Sequence, residues 1–99
     1  MNANYVRGRA FEYKRMKSWR EWGYTCMRTA GSHGFADIIA VKAGRPVEFI
    51  QCKVTKSDAA GQLLLRSFKK DPPFPPDARF HQVLEVWVSS IRELFTVTV

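Results

Sequence analysis

The sequence predicts an α/β protein, a central sheet carrying helices, with elements in the order α-β-β-β-α-β-β. Two observations carry this. Apolar residues recur at helical spacing over residues 7–22 and 58–69, and as short alternating or continuous runs elsewhere. Glycine and proline gather between those stretches, at Gly23, Gly31, Gly34, Gly44, Pro46 and in the proline-rich segment 71–77. The chain has 99 residues, so a single domain over 1–99 is expected. A domain of this size buries only about 60–70% of its unfolded surface, and pairing with a second copy would add to a modest core. The hydrophobic share of 45% and aromatic share of 13% suffice for that core and argue against disorder.

Residues 7–22 read as the first helix. Phe11, Arg15, Trp19 and Trp22 share one side, with Glu12, Met16, Trp19 and Gly23 adjoining, so together they form a packing stripe. Gly23 suits its stop. Glu12 lies inside the apolar stripe, where a carboxylate is costly without a partner. Either a base such as Arg15 pairs with it, or it holds a metal.

Residues 24–28 read as a short strand ending in Arg28, which faces a phosphate or makes a surface salt bridge. The loop 29–34 is built of small residues, and its two glycines permit a close approach to a ligand. Ser32 in it could contact a phosphate or order a metal site, and His33 touches nucleic acid or is simply solvated. Ser32 and His33 adjoin without a GxSxG elbow, so a Ser-His-Asp triad is not supported.

Asp37 opens the next strand, Ile38 to Val41, whose unbroken apolar run predicts a central strand covered on both faces. An acid at its mouth is explained by metal binding or by a loop-capping hydrogen bond. After a turn at 43–46 comes a strand over 47–53. There Val47, Phe49, Gln51 and Lys53 point one way and Glu48, Ile50 and Cys52 the other. Gln51 and Lys53 therefore look together, and a hairpin could bring Asp37 beside them. Glu48 faces away and is not expected to be a ligand.

Ser57 or Asp58 caps the second helix, which runs to about Lys69 with Leu63, Leu64 and Phe68 as its packing side and Leu65 shared. The prolines of 71–77 make a stiff connector. Phe74 within it docks on a partner subunit or on its own core. Strands over 83–88 and 95–99 close the sheet, the last alternating Phe95, Val97 and Val99 with threonines.

The net charge is +7, and residues 1–28 alone hold seven basic against two acidic residues. Such a balance favours a polyanionic partner, because neutralising phosphates releases counterions. A solvated basic face is the plainer alternative. Cys26 and Cys52 lack metal-ligand spacing, so buried free thiols are expected and zinc is not. With no apolar leader and no run near the roughly 18 residues of a membrane span, a soluble cytoplasmic protein is expected, with no membrane association.

The segments 8–12 (GRAFE), 28–34 (RTAGSHG), 36–40 (ADIIA) and 50–53 (IQCK) follow one another in the order and spacing of a known nuclease pattern. Through them the chain resembles the PD-(D/E)xK nuclease superfamily, and specifically the archaeal-type Holliday-junction resolvases. The resemblance implies a restriction-endonuclease-like fold, a central mixed β-sheet flanked by helices. It implies that Glu12, Asp37 and Gln51 hold Mg²⁺ or Mn²⁺, that Lys53 stands near the attacking water and scissile phosphate, and that Ser32 matches a loop serine used in some members. Arg28 matches a basic residue near the DNA. Arg7, Arg9, His33 and Lys56 join it as expected DNA contacts. The family acts as a homodimer in DNA recombination and repair, cutting two opposed strands of four-way junctions.

This chain departs from the pattern at Gln51, where an acid is usual. An amide oxygen still ligates a hard cation but adds no charge, so metal affinity is expected to be lower. The alternatives carried forward are a nuclease of other DNA structures or duplex, a non-catalytic DNA-binding module of the same fold, and a basic RNA-binding protein.

Overall fold

A computed structural model describes residues 3–29 and 36–99, with side chains described from Arg7 onward. The elements are α1 (Ala3–Glu21), β1 (Thr25–Arg28), β2 (Ile38–Val41), β3 (Val47–Thr55), α2 (Asp58–Lys70), β4 (Phe80–Val88) and β5 (Glu93–Thr98). The five strands form one mixed sheet in the order β1-β2-β3-β4-β5, with β3 and β4 parallel and every other pair antiparallel. The α-β-β-β-α-β-β order and the α/β class are as the sequence predicts.

Helix α1 covers β1, β2 and β3 on one face, and α2 covers β4 and β5 on the other. The first layer buries Phe11, Met16 and Trp19 against Cys26, Ile38, Ala40, Ile50, Cys52 and Val83. The second buries Phe68 against Leu84, Val86 and Val88. Strand alternation sets this division: in β3 the even residues Ile50 and Cys52 lie under α1, so Gln51 and Lys53 face the α2 side.

The ends of the elements follow from local chemistry. Helix α1 stops at Gly23, whose φ of +93° suits glycine. Tyr24 N donates to Trp19 O and Gly23 N to Arg20 O, the paired bonds of a Schellman ending. Ser57 caps α2, its hydroxyl accepting from Ala60 N at 3.2 Å. Asp58 in the first turn and Lys69 and Lys70 in the last match the helix dipole. Gly61 lets α2 lie close to the sheet, since a Cβ there would come within 2.8 Å of Val88 Cγ2.

Some expectations change. Strand β2 is not covered on both faces: Ile38 and Ala40 are buried, but Ile39 is half-buried and Val41 exposed. It lies next to the short strand β1, and α2 sits over the far strands instead. Trp22 and Leu63 are exposed rather than part of the packing stripes. Trp22 instead sets its ring edge-on to Trp19 at 5.1 Å, with the Arg15 guanidinium over it. Leu63 points away from the sheet, which Gly61, Leu64, Leu65 and Phe68 approach.

Two polar side chains, Glu85 and Gln82, lie buried in the sheet. Glu85, on the interior strand β4, is 1% exposed. Arg15 Nε and Nη2 donate to its two oxygens at 2.9 and 3.0 Å, and Trp19 Nε1 donates at 3.4 Å. Gln82 is fully buried and brackets the backbone of Phe74, accepting from its N–H at 2.8 Å and donating to its carbonyl at 2.9 Å. That pair of bonds anchors the proline-rich connector to β4.

Candidate functional site

The β2–β3 ladder ends at Ile38 opposite Ile50, while β3 runs on to Thr55 beside β4. Asp37 stands just past that last pair. Its N–H donates to Ile50 O at 2.8 Å, and its Oδ2 accepts from Cys52 N at 2.8 Å. Backbone N–H groups lie near the plane of a sheet. The Asp37 carboxylate therefore occupies the opening between the strands, taking the place of a strand carbonyl and standing between the two faces. The capping role is thus real, and it leaves Oδ1 without that duty.

On the α1 face, Glu12 comes down from the helix. Arg28, at the end of β1, donates from Nε to Glu12 Oε1 at 3.0 Å, and its guanidinium lies over the Tyr13 ring. Arg28, not Arg15, is the partner of Glu12; Arg15 serves Glu85. Burial pushes the Glu12 carboxyl above its ordinary value, the Asp37 charge adds to that, and Arg28 and then Arg9 pull against it. The two carboxylates repel each other, and the Arg28 and Arg9 guanidiniums offset that repulsion.

On the α2 face, Gln51 is half-buried and Lys53 exposed. Both line a hollow of about 330 Å³ that reaches the C-terminal end of α2 at Ser67 and Asp71. Between them in sequence is Cys52, whose N–H holds Asp37. Glu12 and the Gln51–Lys53 pair thus lie on opposite faces of the sheet, with Asp37 at the strand opening, which the spacing of residues alone does not reveal. Glu48 faces α1 and accepts from His81 Nδ1 at 2.7 and 2.9 Å, away from Lys53 as expected.

Arg7 lines a cavity of about 450 Å³ on the far flank of α1, together with Lys14, Phe11, Trp87 and Leu94. Arg9 is close enough to influence Glu12. Lys56 is exposed at the start of the β3–α2 connector. Ser32 and His33 lie outside the described residues. Cys26 and Cys52 are buried free thiols, and burial, with the Glu85, Asp37 and Glu12 charges, pushes the Cys52 thiol up. Among the described residues no three His, Cys, Asp or Glu side chains cluster as a metal site, and no helix is long and apolar enough to cross a membrane.

Glu12 and Asp37 offer carboxylate oxygens within electrostatic reach of each other, and Gln51 offers an amide oxygen from the other face of β3. Oxygen donors of these types suit a hard cation. One consequence concerns the protein without metal. Because the folded pKa of Glu12 is raised above 4.5, the fold favours its protonated form. The stability this gives is present below pH 4.5 and is lost as pH rises through the raised value. Glu12→Gln is expected to raise the melting temperature at pH 8 and to have little effect at pH 4. Thermal unfolding of both proteins at the two pH values checks it; equal stability of the two at pH 8 contradicts it.

No protein-family model matches the chain, and no curated protein is similar to it. Among solved structures it is similar to Hjc of Archaeoglobus fulgidus, a Holliday junction resolvase from an archaeal hyperthermophile. The identity is 21%, the TM-score 0.50, and the match covers 83% of this chain. It spans 65% of the resolvase chain. The mixed sheet with a helix on each face is thus a fold this chain shares with that resolvase.

Proposed function

We propose that the protein is a divalent-metal-dependent DNA endonuclease that resolves four-way junctions, working as a homodimer of single-domain chains in the cytoplasm. The observation that carries this reading is the Asp37 carboxylate set in the sheet opening, with Glu12 on one face and Gln51 and Lys53 on the other. Likeness to the resolvase fold and the net charge of +7 support it.

Glu12, Asp37 and Gln51 would hold the Mg²⁺ or Mn²⁺. When bound, such an ion polarises a phosphate and lowers the pKa of water. The chain's own groups do the rest. Lys53, exposed and cationic beside Gln51, stabilises the charge that builds on the phosphate during attack. Asp37 keeps the end of β2 against β3 through Cys52 N, so Lys53 is presented from a fixed backbone. Arg28 holds Glu12 in place, and Ser32 would serve the same site if the resemblance to the resolvases holds there. Arg7, Arg9, Arg28, His33 and Lys56 grip phosphates, giving little base preference. Branch selectivity then comes from the spacing of two such sites in the dimer.

The test is a labelled four-way junction incubated with the protein and Mg²⁺, beside a linear duplex of the same sequence. Paired nicks in the junction, lost with EDTA and weak on the duplex, are expected. Equal cutting of the duplex favours a nuclease of ordinary DNA. The second reading, a non-catalytic junction-binding module, is favoured by Gln51 and by the hydrogen bonds already made by Asp37 and Glu12. Tight junction binding with no nick at any metal concentration is its signature.

A further inference from the structure

The hollow on the α2 face is larger than a cation needs. At about 330 Å³ it has a floor of Leu64, Phe68 and Leu84 and a wall at Pro73. Its polar groups are Gln51, Lys53, Ser67 and Asp71. Phe68 and Leu84 are buried in the core beneath it, so the floor is rigid. The Pro73 wall is fixed as well, because Gln82 holds the next residue, Phe74, by two backbone bonds. The basic group in its lining is Lys53; Arg66 and Lys69 lie on the other side of α2 by helical spacing, and Lys56 precedes its N-terminal end.

An apolar slot with a few polar groups, a single lysine and an end at the proposed reaction centre fits one component of a nucleic acid. A phosphate alone would not use the apolar floor, and Asp71 would oppose it. A base has an apolar face, hydrogen-bonding edges and a phosphate a few ångströms away. We infer that this hollow takes a single unstacked DNA base, from the nucleotide whose phosphate Lys53 contacts. The inference rests on the nuclease reading and adds to it a second source of branch selectivity. Bases at a branch point cost less to unstack than bases within a duplex. The floor receives the face of the base. Ser67 and Gln51 offer both donors and acceptors to its edge, and Asp71 offers acceptors.

An abasic scan of the junction tests this with the unaltered protein. Junctions carrying one abasic site at each position around the branch are compared for binding in EDTA and for cutting in Mg²⁺. Binding is expected to weaken by about tenfold at one position on the cut strand, adjoining the nick, and to be nearly flat elsewhere. Ser67→Phe, an exposed position on the rim, fills the hollow. It is expected to bind the intact junction about tenfold more weakly and to become insensitive to the abasic site. Unfolding curves confirm that the variant folds, and the scan on the unaltered protein stands without it.

A flat scan in a protein that binds and cuts junctions overturns the base pocket and leaves the nuclease reading intact. An abasic effect that survives in folded Ser67→Phe places the base elsewhere and also overturns it. A protein that neither binds nor cuts DNA removes both.

Discussion

Replacing Asp37 with asparagine is expected to reduce junction cutting by a factor on the order of 10²–10³ while leaving the fold intact. The two effects separate because Asp37 does two things. Its Oδ2 accepts a hydrogen bond from Cys52 N, closing the opening between β2 and β3. An asparagine oxygen accepts that bond equally well. What asparagine lacks is the charge, and with it the electrostatic attraction that Glu12 and Asp37 together exert on a cation. Asp37→Ala loses both functions. It leaves the Cys52 N–H without its acceptor, which costs about 1–3 kcal/mol where water does not replace it. Asp37→Asn should therefore melt near the parent protein and Asp37→Ala below it, with cutting by both at least about a hundredfold slower. Gel assays of cutting and thermal unfolding on the same three proteins check this. Wild-type cutting by Asp37→Asn removes the carboxylate from the mechanism.

The largest effect on stability is expected at Arg15. Its side chain gives two hydrogen bonds to Glu85, which lies on β4 beneath α1 and is 1% exposed. Arg15→Ala leaves that carboxylate buried with only the Trp19 indole as donor. Breaking a buried pair in this way costs about 3–5 kcal/mol. A domain of this size holds about 5–15 kcal/mol in all, so the loss is a large share of the total. Replacing both partners, Arg15→Met with Glu85→Leu, is expected to recover most of it, since the pair's own net contribution is small once neither charge is left alone. Urea unfolding of the single and double variants measures the difference. An Arg15→Ala protein within about 1 kcal/mol of the parent contradicts a buried, unhydrated Glu85. The pair also bears on the site: Arg15 is one turn beyond Glu12, so seating α1 on β4 helps to fix where Glu12 arrives.

Much of this arrangement is legible in the sequence, for definite reasons. The order of the elements follows from changes in apolar spacing and from Gly23, Gly44, Pro46 and the 71–77 prolines at the boundaries. Strand alternation puts Gln51 with Lys53 and against Glu48, and the structure has Glu48 turned to His81 on the other face. Helical spacing shows that Glu12 lies in a packing stripe, but not which face of the sheet that stripe covers. It therefore hides that Glu12 and Lys53 lie on opposite faces of the sheet. Trp22 and Leu63 fit their stripes by spacing, yet each sits at the margin of its helix–sheet contact and stays exposed. The Arg15–Glu85 pair joins residues 70 positions apart. Its sequence signal was an acid inside the apolar run of 83–88 and a base inside the stripe of α1, two misfits that satisfy each other. The hollow at the end of α2 has no local signal, because β3, α2, β4 and the connector build it jointly.

The central claim is that Glu12, Asp37 and Gln51 together hold one hard cation beside Lys53. Titration with Mn²⁺, followed by electron paramagnetic resonance, tests it most directly, without DNA and without turnover. One ion per chain is expected, lost in Glu12→Gln and Asp37→Asn, kept in Lys53→Ala, and bound at least several-fold more tightly in Gln51→Glu, where a third carboxylate replaces the amide. An unchanged affinity in folded Gln51→Glu, or undiminished binding in folded Asp37→Asn, contradicts it.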